Sequence, residues 1–201
     1  MPLINMDDPA EWDGMYEVPR DDGTGRGHFE IACKRHIVAV SNAEGIIAAL
    51  GLNATHKIAM IGAGFGWMAK DVAELSGAVV AAVDTSTYIQ TRKAQDAEIE
   101  ILNADVSAGS GRAALRQALG ITGNSKASFM ITEDVLTILT DAECAQLSAL
   151  LHNLSTVVVH WLTVKDQGFG QDPRMNWKTP AQWKALLPND LFIQRSGAVV
   201  L

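Results

Sequence analysis

Three glycines and one carboxylate are the residues of this chain whose types and spacing most directly suggest chemistry. Gly62, Gly64 and Gly66 occupy every second position of a short turn, and Asp84 follows twenty residues after Gly64. Because glycine has no Cβ, such a turn lets a ligand approach the backbone closely. A carboxylate can accept hydrogen bonds from two ribose hydroxyls. The pattern therefore predicts a ligand that carries a ribose and has a small group against the glycines.

The neighbouring residues predict the elements that would position this site. The apolar run 58–61 indicates a strand buried on both faces, and a helical stripe over 68–75 ends at Gly77. A second apolar strand is predicted from Ala78 to Val83, with Asp84 at its carboxyl end. In such a βαβ unit, an acid at the tip of the second strand faces the glycine turn.

The glycine spacing distinguishes between ligand classes. A dinucleotide fingerprint needs glycine or alanine at position 67, which is Trp67 here. The G-x-G-x-G spacing, flanked by strands and followed by Asp84, resembles motif I of the class I S-adenosylmethionine (AdoMet)-dependent methyltransferases. The resemblance implies AdoMet as cofactor, with its methionine part against the turn and its ribose at the acid. A glycine-rich connector in another βαβ protein is the alternative. The cofactor-binding residues implied at the turn and the acid are Gly62, Ala63, Gly64, Gly66, Asp84 and Thr85.

Asp105 and Val106 follow a third predicted strand, Glu98 to Leu102. In the resembled family, an acid at this position often hydrogen-bonds the adenine amino group, and the next apolar residue lies against the ring. The resemblance thus implies that both residues bind the cofactor. An ordinary loop carboxylate is the alternative.

Glu133 and Asp134 follow a fourth predicted strand, Ala127 to Thr132. The resemblance implies that they lie beside the transferred methyl group, where they would touch the cofactor amine or accept a substrate proton. Their sequence departs from the Asn/Asp-Pro-Pro-aromatic motif that holds an exocyclic base nitrogen, which lowers the case for a DNA amino-methyltransferase. Solvated charges ahead of a helix are the alternative.

Methyl transfer from a sulfonium depends mainly on positioning and on excluding water, so the chemistry dictates no particular catalytic residue type. If the acceptor is a hydroxyl or an ammonium, a base must take its proton. The candidates, in order of preference, are Glu133, Asp134, His160, His28 and Tyr16. His160 lies near the end of a predicted strand over 156–164, where a core histidine is the alternative. Tyr16 belongs with Trp12 and Met15 to an N-terminal cluster that predicts either a lid over the site or a helix packed on the sheet.

The remaining elements complete an α/β chain. The resemblance implies one doubly wound domain over residues 1–201, with an N-terminal lid or helical segment over 1–50 and a Rossmann-like core over 57–201. Its mostly parallel seven-stranded sheet would have the order 3-2-1-4-5-7-6 and a C-terminal antiparallel hairpin strand. The predicted signals for helices, loops and turns are Asn42 as a cap of a helix ending at Gly51, a Ser86 cap, a helix over 110–119, capping boxes at Thr140–Glu143 and Thr179–Gln182, a pocket-lining loop over 165–178 and a Ser196-Gly197 turn. In the helix that starts at Thr140, the alanines at 142 and 145 are predicted to lie on the buried side with the leucines that follow.

Composition limits the classes of partner. The 201 residues are 48% hydrophobic and 19% charged, which is typical of one globular domain. A net charge of −7 argues against a broad phosphate-binding surface and so disfavours nucleic acid as a partner. Cys33 and Cys144 match no metal spacing, and we expect reduced thiols in a cytoplasmic protein. Neither a signal peptide nor a bilayer-spanning stretch is visible.

The leading hypothesis is an AdoMet-dependent methyltransferase that acts on a small molecule or a protein side chain. The first alternative is a non-catalytic AdoMet-binding or structural module that keeps the fold. An NAD-dependent oxidoreductase is disfavoured by Trp67 and by the predicted terminal hairpin. The sequence leaves open the methyl acceptor, the general base and the oligomeric state.

Overall fold

A computed structural model describes residues 36–97, 99–162, 176–194 and 199–200. The predictions for Trp12, Met15, Tyr16 and His28, for most of the pocket-lining loop and for the Ser196-Gly197 turn lie outside these residues.

A parallel sheet of six strands forms the centre of the described chain, in the order β3-β2-β1-β4-β5-β6. From β1 the chain adds β2 and then β3 on one side, and it crosses to the other side of β1 for β4. Open α/β sheets bind ligands at the carboxyl ends of the strands where the strand order reverses. In this chain the order reverses at β1 and β4. The strands are β1 Lys57–Ile61, β2 Val79–Val83, β3 Ile101–Leu102, β4 Ala127–Glu133, β5 Ser155–Leu162 and β6 Leu191–Gln194.

The predicted strand order 3-2-1-4-5-7-6 is wrong at the sixth position. β6 pairs directly with β5 in parallel, with Val159 opposite Leu191, so no strand lies between them. A helical crossover returns the chain parallel to the free edge of β5, so the open edge on this side of the sheet becomes the outer edge of β6. There Val199–Val200, called β7, pairs antiparallel with β6. The connection over 195–198 lies outside the described residues, so the hairpin and its turn stay a prediction.

Helices cover both faces of the sheet. α1 and α2 pack on the face that carries Ile58 and Met60, and α4 and α5 pack on the face that carries Ala59 and Ile61. A third apolar cluster joins α6 to the 3-10 helix that follows β4. The helices are α1 His36–Leu50, α2 Trp67–Ser76, α3 Thr87–Asp96, α4 Gly109–Ala118, the 3-10 helix Val135–Ile138, α5 Asp141–Leu154 and α6 Pro180–Leu186. Among the described helices, none combines the length and the apolar character needed to span a bilayer.

Both predicted capping boxes are confirmed. At α5, the Thr140 hydroxyl accepts from the Glu143 amide at 3.3 Å, and the Glu143 carboxylate accepts from the Thr140 amide at 2.7 Å. α6 repeats this capping box with Thr179 and Gln182. These bonds satisfy N–H groups that a helix leaves unpaired at its start.

Three predictions of local structure are wrong. Asn42 lies buried inside α1, which begins at His36, and does not cap it. The third strand is two residues long because only Ala82 and Val83 of β2 offer it partners. α5 exposes the alanines at 142 and 145, predicted to be buried, because its start fixes a phase that buries Cys144, Ser148 and Leu151.

Candidate functional site

The glycine turn between β1 and α2 adopts left-handed backbone conformations. The φ angles are 72° at Gly62, 55° at Gly64 and 75° at Gly66. A residue with a Cβ is strained in this region, which explains the type of residue at all three positions.

Two of these glycines also permit close packing. A Cβ on Gly62 would overlap the Val135 side chain and lie 3.4 Å from the Glu133 carbonyl oxygen. A Cβ on Gly66 would lie 2.5 Å from the side chains of Ile99 and Ile101. The turn is therefore pressed against the end of β4 at its first glycine and against the β3 segment at its last.

The amide groups of the turn donate inside the protein. Gly62 and Ala63 donate to the Val83 carbonyl at 2.9 and 3.0 Å, and Gly66 donates to the Ala63 carbonyl at 2.8 Å. The Gly64 amide donates to the Asp84 carboxylate at 2.8 Å. Three of these four N–H groups hold the turn against the end of β2, and the Gly66 amide closes the turn on itself.

Asp84 lies at the carboxyl end of β2 and is only 6% exposed. Its Oδ2 accepts from the Gly64 amide at 2.8 Å, and its Oδ1 accepts from the Ser86 amide at 2.9 Å. Burial raises the pKa of Asp84 to about 6, against the opposing effect of the bonds from Ser86 and Gly64. Two carboxylate oxygens offer about four acceptor positions, so two further donors can be accommodated.

Ser86 has two structural roles, and the sequence reveals only the first. As the cap signal predicts, its hydroxyl accepts from the Ile89 amide at 3.4 Å at the start of α3. The same residue's backbone also holds Asp84. Thr85, which lies between Asp84 and Ser86 in the sequence, is exposed.

Asp105 and Val106 lie beyond the end of β3, on the other side of β2 from the glycine turn. Asp105 is exposed, and its two oxygens accept from the amide and the hydroxyl of Ser107, each at 2.8 Å. Val106 is buried in the core beneath α4. The β3 end thus presents a fixed carboxylate, whereas the neighbouring Val106 side chain belongs to the core.

Glu133 and Asp134 mark the end of β4. Asp134 has a φ of 51°, the sole left-handed conformation at a non-glycine residue in the described part of the chain. Its amide donates to the Trp161 carbonyl at 2.9 Å, and its carbonyl accepts from the Thr137 hydroxyl at 2.6 Å. These bonds hold a strained residue at the edge where the predicted site lies.

His160 lies in a buried polar network beneath α5. Its Nδ1 lies 2.8 Å from the Thr132 hydroxyl, and its Nε2 lies 2.7 Å from Asp190 Oδ2. Asp190 Oδ1 lies 2.6 Å from Nε2 of His152, on α5. Burial lowers the pKa of His160, so the ring is neutral; Nε2–H donates to Asp190, and Nδ1 accepts from Thr132.

This network differs from the site at the strand ends. Burial opposes ionisation of Asp190, but hydrogen bonds from His160 and Ser148 hold the pKa of its carboxyl below the ordinary value. Because both ring nitrogens of His160 are engaged and its side chain is fully buried, the structure gives this residue a role in the core. No sequence signal points to the network, because its members are about thirty residues apart.

The structure brings the glycine turn, Asp84 and Thr85 together, with the ends of β3 and β4 on either side. Trp67 is half-buried and packs against the core on the α1 and α2 face. Within the described ranges, no three His, Cys, Asp or Glu residues are grouped to hold a metal ion.

Comparison with known proteins adds evidence on the fold. Neither a protein-family model nor a curated protein sequence matches this chain. Solved structures do match. Phosphoethanolamine N-methyltransferase 1 of Haemonchus contortus, in complex with phosphoethanolamine and S-adenosylhomocysteine, has a TM-score of 0.60 at 14% identity, over 94% of this chain and 41% of that one.

Two further structures agree. Human N-acetylserotonin methyltransferase in complex with AdoMet has a TM-score of 0.55 at 15% identity, over 96% of this chain and 60% of that one. Magnesium protoporphyrin IX methyltransferase of Synechocystis PCC 6803 with bound S-adenosylhomocysteine has a TM-score of 0.55 at 16% identity, over 90% of this chain and 82% of that one. The chain thus spans about half the length of the first two proteins. With the parallel order β3-β2-β1-β4-β5-β6 and the glycine turn after β1, the chain has the fold of these class I AdoMet-dependent methyltransferases, and it departs from the predicted order where β6 pairs with β5.

Proposed function

We propose that this protein is an AdoMet-dependent methyltransferase (EC 2.1.1.-) that acts on a small molecule or a protein side chain. The observation that carries the proposal is the buried Asp84 carboxylate, which bridges the Gly64 and Ser86 amides across the ends of β1 and β2. A buried carboxylate is stable only when donors satisfy it, and two backbone amides leave the pKa of Asp84 near 6. Two ribose hydroxyls would supply the missing donors.

The ends of the flanking strands fit the other parts of AdoMet. The first glycine of the turn adjoins the end of β4, where Glu133 and Asp134 offer acceptors for the methionine ammonium. In the opposite direction, the exposed Asp105 offers an acceptor that suits the amino group of an adenine, and contact of the base with the buried Val106 remains a prediction. An elongated ligand with its ribose at Asp84 would span these two groups.

The hydrogen bonding of the turn disfavours a dinucleotide. A pyrophosphate needs backbone N–H groups directed at it, and four amides of this turn donate to protein oxygens instead. At the position of the third fingerprint glycine, Trp67 packs against the core. These observations support AdoMet over NAD.

The solved neighbours support the same cofactor and favour a small-molecule acceptor. The three described above are methyltransferases crystallised with AdoMet or S-adenosylhomocysteine, and one also holds phosphoethanolamine. We further propose one domain with a seven-stranded sheet, in which β7 is the second strand of a C-terminal hairpin and lies at the outer edge.

Bound AdoMet would supply both the methyl group, on a sulfonium, and the leaving group. The protein would then position the acceptor, exclude water and take a proton where the acceptor carries one. Glu133 and Asp134 are the proposed bases because they stand at the β4 end beside the turn. His160 is a poor candidate because both of its ring nitrogens are bonded in the core, whereas Tyr16 and His28 remain predictions.

Calorimetric titration with S-adenosylhomocysteine tests the proposal. We expect the wild type to bind with micromolar affinity. Asp84→Ala should lower the affinity at least about tenfold, because hydrogen bonds to a charged group are worth roughly 1.5–3 kcal/mol. Glu74→Ala should leave the affinity unchanged. Glu74 is an exposed carboxylate on α2, below the same turn. Absence of both heat and thermal shift with the wild type contradicts the proposal.

Turnover requires a separate assay. Release of S-adenosylhomocysteine from AdoMet with one member of an acceptor panel supports an enzyme, whereas tight binding without turnover across a broad panel favours the non-catalytic binding module. Retention on an NADH column that is lost in Asp84→Ala would favour the oxidoreductase.

A further inference from the structure

The backbone of α4 lies directly against the peptide of Asp105 at one residue, Gly111. A Cβ built on Gly111 would overlap the Asp105 carbonyl oxygen, and it would lie 2.5 Å from the carbonyl carbon and 3.0 Å from the amide nitrogen. These are backbone atoms, so no rotation of a side chain can relieve the overlap. Gly111 therefore sets how closely α4 approaches the end of β3.

Glycine in a helix costs about 1 kcal/mol relative to alanine, so its place inside α4 calls for a compensating contact. Gly109, at the start of the same helix, makes no such contact: a Cβ at this position would have Arg112 Nη2 as its nearest neighbour, at 3.8 Å. A glycine is thus required by packing at position 111 and not at position 109.

The segment held by Gly111 is fixed on its other sides. Arg112 Nη1 donates to the carbonyls of Val106 and Ser107 at 3.3 and 2.5 Å. The Ala108 amide donates to the Asp105 carbonyl at 3.1 Å, and Ser107 donates to both carboxylate oxygens. The direction of the exposed Asp105 carboxylate is therefore determined by its backbone position.

We propose that Gly111 is a positioning residue that gives this site its selectivity for a 6-aminopurine. By admitting the Asp105 peptide, it directs the Asp105 carboxylate at the exocyclic amino group of the base. An ionised carboxylate only accepts hydrogen bonds, so it pairs with a 6-amino group and repels a 6-oxo group. The inference rests on the proposed function, because it needs the ribose at Asp84 and the base towards β3.

Calorimetry with S-adenosylhomocysteine and S-inosylhomocysteine measures this selectivity as a ratio of affinities. We expect the wild type and Gly109→Ala to prefer the adenine compound by at least about tenfold, the value of one hydrogen bond to a charged group. In Gly111→Ala the ratio should fall to near one, because the displaced carboxylate no longer meets the amino group. The two variants make the same chemical change two residues apart on one helix.

A double-mutant cycle separates positioning from a general loss of stability. Asp105→Ala should abolish the selectivity, and adding Gly111→Ala to it should change the ratio no further. A Gly111→Ala protein with a lowered melting temperature but an unchanged ratio overturns the inference, as does an Asp105→Ala protein that keeps its selectivity. If Gly111→Ala does not fold, Arg112→Ala decides: loosening the same segment should lower the ratio, and an unchanged ratio overturns the inference.

The outcomes also separate this inference from the proposed function. A wild-type protein that binds neither compound contradicts the proposed function. A wild-type protein that binds S-adenosylhomocysteine, with selectivity unaffected by Gly111→Ala, contradicts only the role of Gly111.

Discussion

At the scale of single residues, the charge of Asp84 links the stability of the fold to the ligand. Its pKa in the folded protein is about 6, above the ordinary value of 3.8. Because the folded protein binds this proton more tightly than the unfolded chain does, the protonated carboxyl favours the folded state. This contribution is fully present below pH 3.8 and is lost as the pH rises through 6. At neutral pH the buried charge therefore costs about 3 kcal/mol, at roughly 1.4 kcal/mol for each pKa unit.

This cost can be measured against a variant that does not titrate. Relative to Asp84→Asn, the wild type should lose roughly 2.5 kcal/mol in its free energy of unfolding between pH 4 and pH 7. Urea unfolding at both pH values gives the difference, and titrations shared by the two proteins cancel. A difference that does not change with pH would show that the Asp84 carboxyl is not desolvated in the folded protein.

The second glycine of the turn provides a steric test. Gly64→Val should abolish S-adenosylhomocysteine binding in calorimetry, because a branched side chain blocks the approach of the ligand to the turn. Gly123→Val is the matched control, since Gly123 has a φ of 57° against 55° at Gly64 and lies in the connection between α4 and β4. Both variants carry similar backbone strain, so a loss of binding in Gly64→Val alone would be due to the blocked turn. Normal binding by Gly64→Val would mean that the ligand does not contact the turn.

The strained residue at the end of β4 separates stability from function. Asp134→Gly should raise the free energy of unfolding by about 1 kcal/mol, because glycine adopts a φ of 51° without strain. The same variant should lower the rate of methyl transfer, since it lacks the carboxylate. Asp134→Asn, which tolerates this conformation, is the control for charge. If thermal unfolding shows that Asp134→Gly is less stable than the wild type, the backbone at Asp134 is not strained.

At the scale of elements, the network around Asp190 connects β5, β6 and α5. Asp190 accepts from His160 and His152, and these bonds lie beneath α5. Asp190→Ala would leave the buried imidazole of His160 without its acceptor, which should cost about 3 kcal/mol of unfolding free energy. Asp141→Ala removes an exposed carboxylate from an ion pair with Lys178 and should cost at most about 1 kcal/mol. Equal losses in urea unfolding would mean that the network contributes little.

Elements were predictable from the sequence where their signals are local. The Thr140–Glu143 capping box lies within four residues and is formed as predicted. The pairing of Gly64 with Asp84 spans twenty residues, but a βαβ unit constrains it so strongly that the spacing sufficed. The partners of His160 are set by how β4, β5 and β6 align, which no short stretch encodes. The position of β6 beside β5 is non-local in the same way.

At the scale of the whole molecule, the reversal of strand order gathers residues from distant parts of the chain. The ends of β1 and β2 supply the turn and Asp84, and the ends of β3 and β4 supply Asp105 and Glu133. The net charge of −7 is compatible with this site because AdoMet, unlike a dinucleotide, carries no phosphate. Its sulfonium and its ammonium are both attracted by carboxylates.

A crystal structure of the protein grown with S-adenosylhomocysteine would show directly whether Asp84 holds the ribose. We expect both ribose hydroxyls within hydrogen-bonding distance of the Asp84 carboxylate and the homocysteine part against residues 62–66. A ligand bound elsewhere, or a ribose held by other side chains while Asp84 keeps only its bonds to Gly64 and Ser86, would contradict it.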